Sequence, residues 1–140
     1  MPILNYTTQI KYEKTIMEIQ KVLVDRGATK IVTDYDNGMP VGLTFGIEVE
    51  GKMLAFSLPA NYSGVLRAMK RDKKVPKSKL TEEQALRVSW RIIKDWVEAQ
   101  MAIVEADLAN LDEVFLPYSI TRNGNRLYDE VKGSNMLLDS

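Results

Sequence analysis

Residues 37–58, NGMPVGLTFGIEVEGKMLAFSL, decide the fold of this chain. Asn37-Gly38 has the composition of a hairpin turn, whose central residues need positive φ. Val41, Leu43, Phe45, Ile47 and Val49 then alternate with Gly42, Thr44, Gly46 and Glu48. A period of two gives a strand with one buried and one exposed face. Gly51 turns the chain into residues 53–58, where Leu54, Phe56 and Leu58 repeat the alternation. With KIVTDY at 30–35 in front, the pattern predicts an antiparallel meander. Gly42 and Gly46 share the exposed face, which fits a twist or bulge, or close approach by a partner backbone or ligand.

Working outward, NYTTQI at 5–10 alternates Tyr6, Thr8 and Ile10 as a short strand would. Thr15 and Glu18 have the T-x-x-E spacing of a capping box. Ile16, Ile19, Val22 and Leu23 supply the helical stripe behind it, and Gly27 a left-handed end. Downstream, Pro59 stops the last strand and Asn61 caps a short helix carrying Tyr62, Val65, Leu66 and Met69. The basic loop KRDKKVPKSK, 70–79, is either a solvated connector or an electrostatic funnel for a phosphate-bearing ligand.

Thr81 and Gln84 form a second capping box, T-x-x-Q, and no glycine or proline follows until Pro117. A helix over 82–110 would be roughly 43 Å long, against roughly 37 Å for the diameter of a compact domain of this size. Its apolar residues fall on two stripes. Leu86, Trp90, Ile93, Val97, Met101, Val104, Leu108 and Leu111 make one; Ile92, Trp96, Ala99, Ile103 and Ala106 make the other. One covered sheet needs a single stripe. Two imply burial on both sides, by the rest of the chain or by a second subunit. Arg87, Arg91 and Lys94 make the first half basic, while Glu98, Glu105, Asp107, Asp112 and Glu113 make the second acidic. Two such helices packed antiparallel about a twofold axis would match charge, although Arg91–Asp95 and Lys94–Glu98 also have local i,i+4 spacing. A second Asn-Gly, at 123–124, predicts a small hairpin or rigid loop between Tyr118 and Tyr128. Gly133 to Ser140 read as a mobile tail. The expectation is one α+β domain over 1–140: helix and antiparallel sheet (1–60), short helix and basic loop (61–80), long dimerising helix (81–110), then loop or hairpin (111–132).

The 140 residues carry 19 basic and 19 acidic side chains, with no cysteine and no histidine. That removes disulfides, thiolate nucleophiles, histidine-based triads and the usual zinc ligand sets. Zero net charge disfavours duplex nucleic acid as a partner. No apolar run suits a membrane span and no signal peptide is evident, so the plain reading is cytoplasmic. Asp34 and Asp36 sit one residue apart beside a turn but lack the further acidic ligand of a calcium loop. No metal, cofactor or catalytic residue is expected. The strongest constellation lies near the end: Phe115, Tyr118, Arg122, Asn123, Asn125, Arg126 and Tyr128 within fourteen residues. Aromatic rings stack on bases, asparagines read polar edges and arginines grip phosphate. The same aromatics would equally serve to anchor the loop to the core.

YTTQI (6–10), EKTIMEIQ (13–20), SLPAN (57–61), RVSWRIIKDWVEAQ (87–100) and EVFLPY (113–118) together resemble small phage and prophage proteins, the Thoeris anti-defence family of the first type. The resemblance covers roughly residues 5–130. It implies an α/β protomer, a homodimer that assembles further into a hexamer, and capture without turnover of cyclic ADP-ribose-type immune signals, with cyclic oligonucleotides as further ligands of some members. The family's ligand contacts are not matched position by position, so the site expectation rests on residue chemistry. Arg87, Arg91, Arg122 and Arg126 would hold phosphates, Phe115 and Tyr118 would stack, and Asn123 and Asn125 would read polar edges. The alternatives are a protein-interaction module built on the 81–110 helix and a carboxylate-based nucleotide-processing enzyme.

Overall fold

The computed structural model describes residues 3–134, so most of the 133–140 tail lies outside it. Helix α1 (Tyr12–Asp25) leads into a meander of β1 (Ala28–Asp36), β2 (Met39–Val49) and β3 (Lys52–Pro59). The sheet is antiparallel in the order β1-β2-β3. Helices α2 (Tyr62–Arg71) and α3 (Glu82–Glu105) follow, then the short helices α4 (Leu111–Val114) and α5 (Leu127–Lys132). The meander is the one that residues 37–58 dictate. Phe45 pairs with Phe56, Leu43 with Leu58 and Ile47 with Leu54, which sets all six on the helix-covered face. Gly42 sits beside the register shift between Asp34 and Tyr35, so the bulge reading accounts for it. A Cβ there would press on the Asp34 carboxylate and the Leu58 carbonyl, both at 3.4 Å.

The main core joins this face to Ile16, Ile19 and Leu23 of α1 and to Leu86, Trp90, Val97 and Met101 of α3. Trp90 is wholly buried, and its indole N–H donates to the Pro40 carbonyl at 3.1 Å, so the ring is interred without an orphan donor. A second core forms on the far side of α3. There Ala85 and Val88 meet Met69 and Val75, with Val65, Leu66, Leu80 and Ile92 around them. The basic 70–79 loop is therefore pinned at Val75.

Several expectations are corrected. Residues 5–10 are not a strand: Asn5 takes positive φ, and a turn is closed by Thr8 N–H on the Asn5 carbonyl at 3.0 Å. The buried Gln84 amide donates to the carbonyls of Tyr6 and Thr8, both at 2.9 Å, and so replaces a neighbouring strand. The Gln84 side chain therefore does not return to Thr81, and only half of that capping box forms, Thr81 Oγ1 accepting from Gln84 N–H at 3.1 Å. Thr15 is no cap at all. Helix α1 begins at Tyr12, and Thr15 is fully buried against α3.

Helix α3 has 24 residues, about 36 Å of rise, and stops at Glu105 rather than near 110. The two sides of its first half are buried within the protomer, by sheet and α1 on one side and by α2 on the other. Its basic charges are also used internally: Arg91 and Lys94 both reach Glu18 of α1, and Lys94 also pairs with Glu98. Arg91 does not pair with Asp95, which instead accepts from Asn5 at 2.9 Å. The apolar and charged surplus that pointed to an antiparallel α3 dimer is largely spent inside one chain.

Candidate functional site

An aromatic row runs from the sheet to the surface. Phe45 and Phe56 lie 5.3 Å apart, Phe115 meets both, Trp96 stands edge-on to Phe115 at 5.5 Å, and Tyr118 stands edge-on to Trp96 at 5.3 Å. The row exists because residues 115–119 fold onto β3. Phe115 ends α4, Leu116–Tyr118 form one 3₁₀ turn, and Ser119 bridges Phe56 in the manner of a fourth strand. Pro117 within that turn costs no hydrogen bond.

At the outer end of the row, Trp96 and Tyr118 with Ile92, Ile93, Leu58 and Pro59 line an apolar recess of about 190 Å³. The Arg126 guanidinium carbon lies 5.8 Å from the Tyr118 ring centre and 5.9 Å from that of Tyr128. Both distances suit cation–π attraction. Arg126 is held by Asp129 at 3.4 Å and by the Ile120–Arg126 bridge across the turn. The recess is thus an apolar slot with the Arg126 guanidinium against one of its lining rings, Tyr118.

The expected site residues do not form a single constellation. Tyr118 and Arg126 come together. Phe115 has no exposed surface and is a core residue, not a stacking platform. Arg87 pairs with Glu83 at 2.8 Å and Gln84 at 3.3 Å, and Arg91 with Glu18 at 3.4 Å. Helical spacing puts these two arginines on the opposite flank of α3 from Ile92 and Trp96. Arg122 and Asn125 are exposed on the 121–125 turn, closed by Thr121 N–H on the Asn125 carbonyl at 2.9 Å, and Asn123 donates to Glu130 at 2.8 Å. The Ile120–Arg126 antiparallel bridge makes that turn a minimal hairpin, which ends before Tyr128, the second residue of α5. Trp96, Ile92, Ile93, Leu58 and Pro59 are the recess residues that the sequence did not single out as a site. For Ile92 and Trp96 the signal was the second apolar stripe of α3, which periodicity alone assigns to packing; Leu58 and Pro59 read only as the end of β3.

Among the described residues no group of three or more acidic side chains could hold a metal ion, and no helix is long and apolar enough to cross a membrane. The six lysines and arginines of 70–79 make no ion pair among the described residues. Compared with known proteins, the chain matches no family model, no curated protein and no solved structure. What fold and site define is an α+β protein with helices on one face of a three-stranded antiparallel sheet.

Proposed function

We propose that this protein binds and sequesters a cyclic ADP-ribose-type nucleotide signal, in the manner of a phage anti-defence protein, without degrading it. The observation that carries the reading is the Trp96–Tyr118 recess with Arg126 over the Tyr118 ring that lines it. Ligand pockets usually enclose about 300–1,000 Å³. A slot of about 190 Å³ therefore suits one heteroaromatic ring, with the ribose and phosphates lying outside it. Arg126 is the cation positioned for those phosphates, and Arg122 stands four residues away on the same loop. Self-association belongs to this reading as well, but the first half of α3 has little surface left to offer it.

The test uses tryptophan fluorescence and melting temperature with cyclic ADP-ribose isomers and cyclic oligonucleotides. Trp90 is buried, so Trp96 is the reporter, and a stacking base should quench it. The expected result is quenching with a raised melting temperature, weakened at least about tenfold in affinity by Arg126→Ala. The ligand should be recovered unchanged after heating. Chemically altered ligand would instead support the enzyme alternative, and no response to any of these compounds would sink the proposal.

A further inference from the structure

Strand β1 is an edge strand whose outer side has no partner among the described residues. Such an edge is a template for another strand unless it is blunted. Two register irregularities against β2 fall between Ala28 and Lys30 and between Asp34 and Tyr35. Between them lies one regular run, Lys30-Ile31-Val32-Thr33-Asp34. Lys30, Val32 and Asp34 pair with Gly46, Thr44 and Gly42, so all three project from the face away from the helices. Val32 is 56 % exposed, and neither Lys30 nor Asp34 has an ion-pair partner among the described residues.

This run is complementary to itself. In an antiparallel pair of two copies with Val32 opposite Val32, Lys30 of each copy stands opposite Asp34 of the other. Ile31 meets Thr33 on the opposite face. Moving the register by two residues loses both charge pairs. Cross-strand opposite charges and β-branched pairs are the contacts that stabilise a ladder.

Helix α1 adds a second, independent match. Ile16, Ile19 and Leu23 face the sheet, while Thr15 and Glu18 face α3 and its Arg91. The remaining flank, away from α3 and on the β1 side, carries Met17 at 68 % and Val24 at 56 % exposure. They lie seven residues apart on one stripe, with Gln20 between them. A twofold axis at Val32, perpendicular to the sheet, would bring this flank towards its own copy on the helix side. Exposed apolar side chains on both strand edge and helix flank are what one isologous interface would cover.

We infer that two copies of this chain join along β1 into a continuous six-stranded antiparallel sheet, with their α1 helices meeting beneath it. The inference is independent of any ligand. The test is sedimentation velocity of the full chain over a dilution series. Wild type should dimerise. Lys30→Asp alone, or Asp34→Lys alone, sets like charges opposite each other twice and should raise the dissociation constant on the order of tenfold or more. The double exchange Lys30→Asp/Asp34→Lys should restore it. So should mixing the two single variants, which can pair only with each other. Both exchanged positions are exposed, so folding is checked by an unchanged circular dichroism spectrum. The chain has no cysteine, so Val32→Cys provides a lone thiol. Opposed Cα atoms about 4.5–5.5 Å apart lie within disulfide range, and mild oxidation should give a covalent dimer. A monomer at all concentrations, a dimer indifferent to the charge exchanges, or a Val32→Cys chain that stays uncrosslinked would overturn the inference.

Discussion

Gln84 is 5 % exposed and stands at the third residue of α3, where a capping box would turn its amide back onto Thr81. Its two donor bonds instead hold the carbonyls of Tyr6 and Thr8. One amide therefore fastens the N-terminal segment to the helix layer. Gln84→Ala should leave both carbonyls short of a donor and cost roughly 1–3 kcal/mol. The measurement is the urea midpoint, and a loss below about 0.5 kcal/mol would show that water replaces the amide readily. The sequence displayed the T-x-x-Q spacing but not the partner of the glutamine. A side chain of that length reaches either way, and the choice depends on a segment about eighty residues distant. Phe115 is the same lesson at the site. Aromatic and basic residues close together in sequence look like a ligand cradle, yet Phe115 packs on Phe45 and Phe56 while Tyr118 and Tyr128 reach the surface.

At the scale of elements, the end of α3 shows why a long helical pattern overran. No glycine or proline marks residue 105, but Asp107 takes φ 59°. Asp107 N–H bonds the Val104 carbonyl at 3.1 Å and Leu108 N–H bonds the Ile103 carbonyl at 3.0 Å. These are the two bonds of a Schellman end, built on aspartate where glycine is usual. Aspartate there carries both a left-handed backbone and a negative charge at the unfavourable pole of the helix. Asp107→Gly should therefore stabilise the protein by up to about 1 kcal/mol. Asp107→Asn should recover only the part due to charge. Equal melting temperatures for all three chains would refute this account of the helix end. The strands were far more legible, because an alternation of two is satisfied by one sheet face whatever packs upon it. The 5–10 strand failed for the converse reason, since three alternating residues cannot form a ladder without a neighbour.

Across the whole molecule, α1 and α3 are joined by Glu18, which receives both Arg91 and Lys94, and by the Arg26–Glu105 pair. The bond from Lys94 to Glu98 holds the Lys94 pKa above 10.5, with burial acting against it. A raised folded pKa means the contribution is complete below the unfolded value near 10.5 and fades as pH climbs through the folded one. Glu98→Gln should lower stability at neutral pH, and its deficit against wild type should shrink at strongly alkaline pH. A deficit constant across that range in urea titrations would mean Lys94 is not its source. The sequence by itself determined the antiparallel meander, the N-terminal cap and two-sided burial of α3, and the absence of cysteine and histidine chemistry, because these follow from local periodicity, turn chemistry and composition. Only the tertiary structure decided what covers the two sides of α3, which aromatics reach the surface, and which strand keeps a free edge. Those outcomes depend on contacts between segments tens of residues apart, and no local pattern encodes which segment arrives.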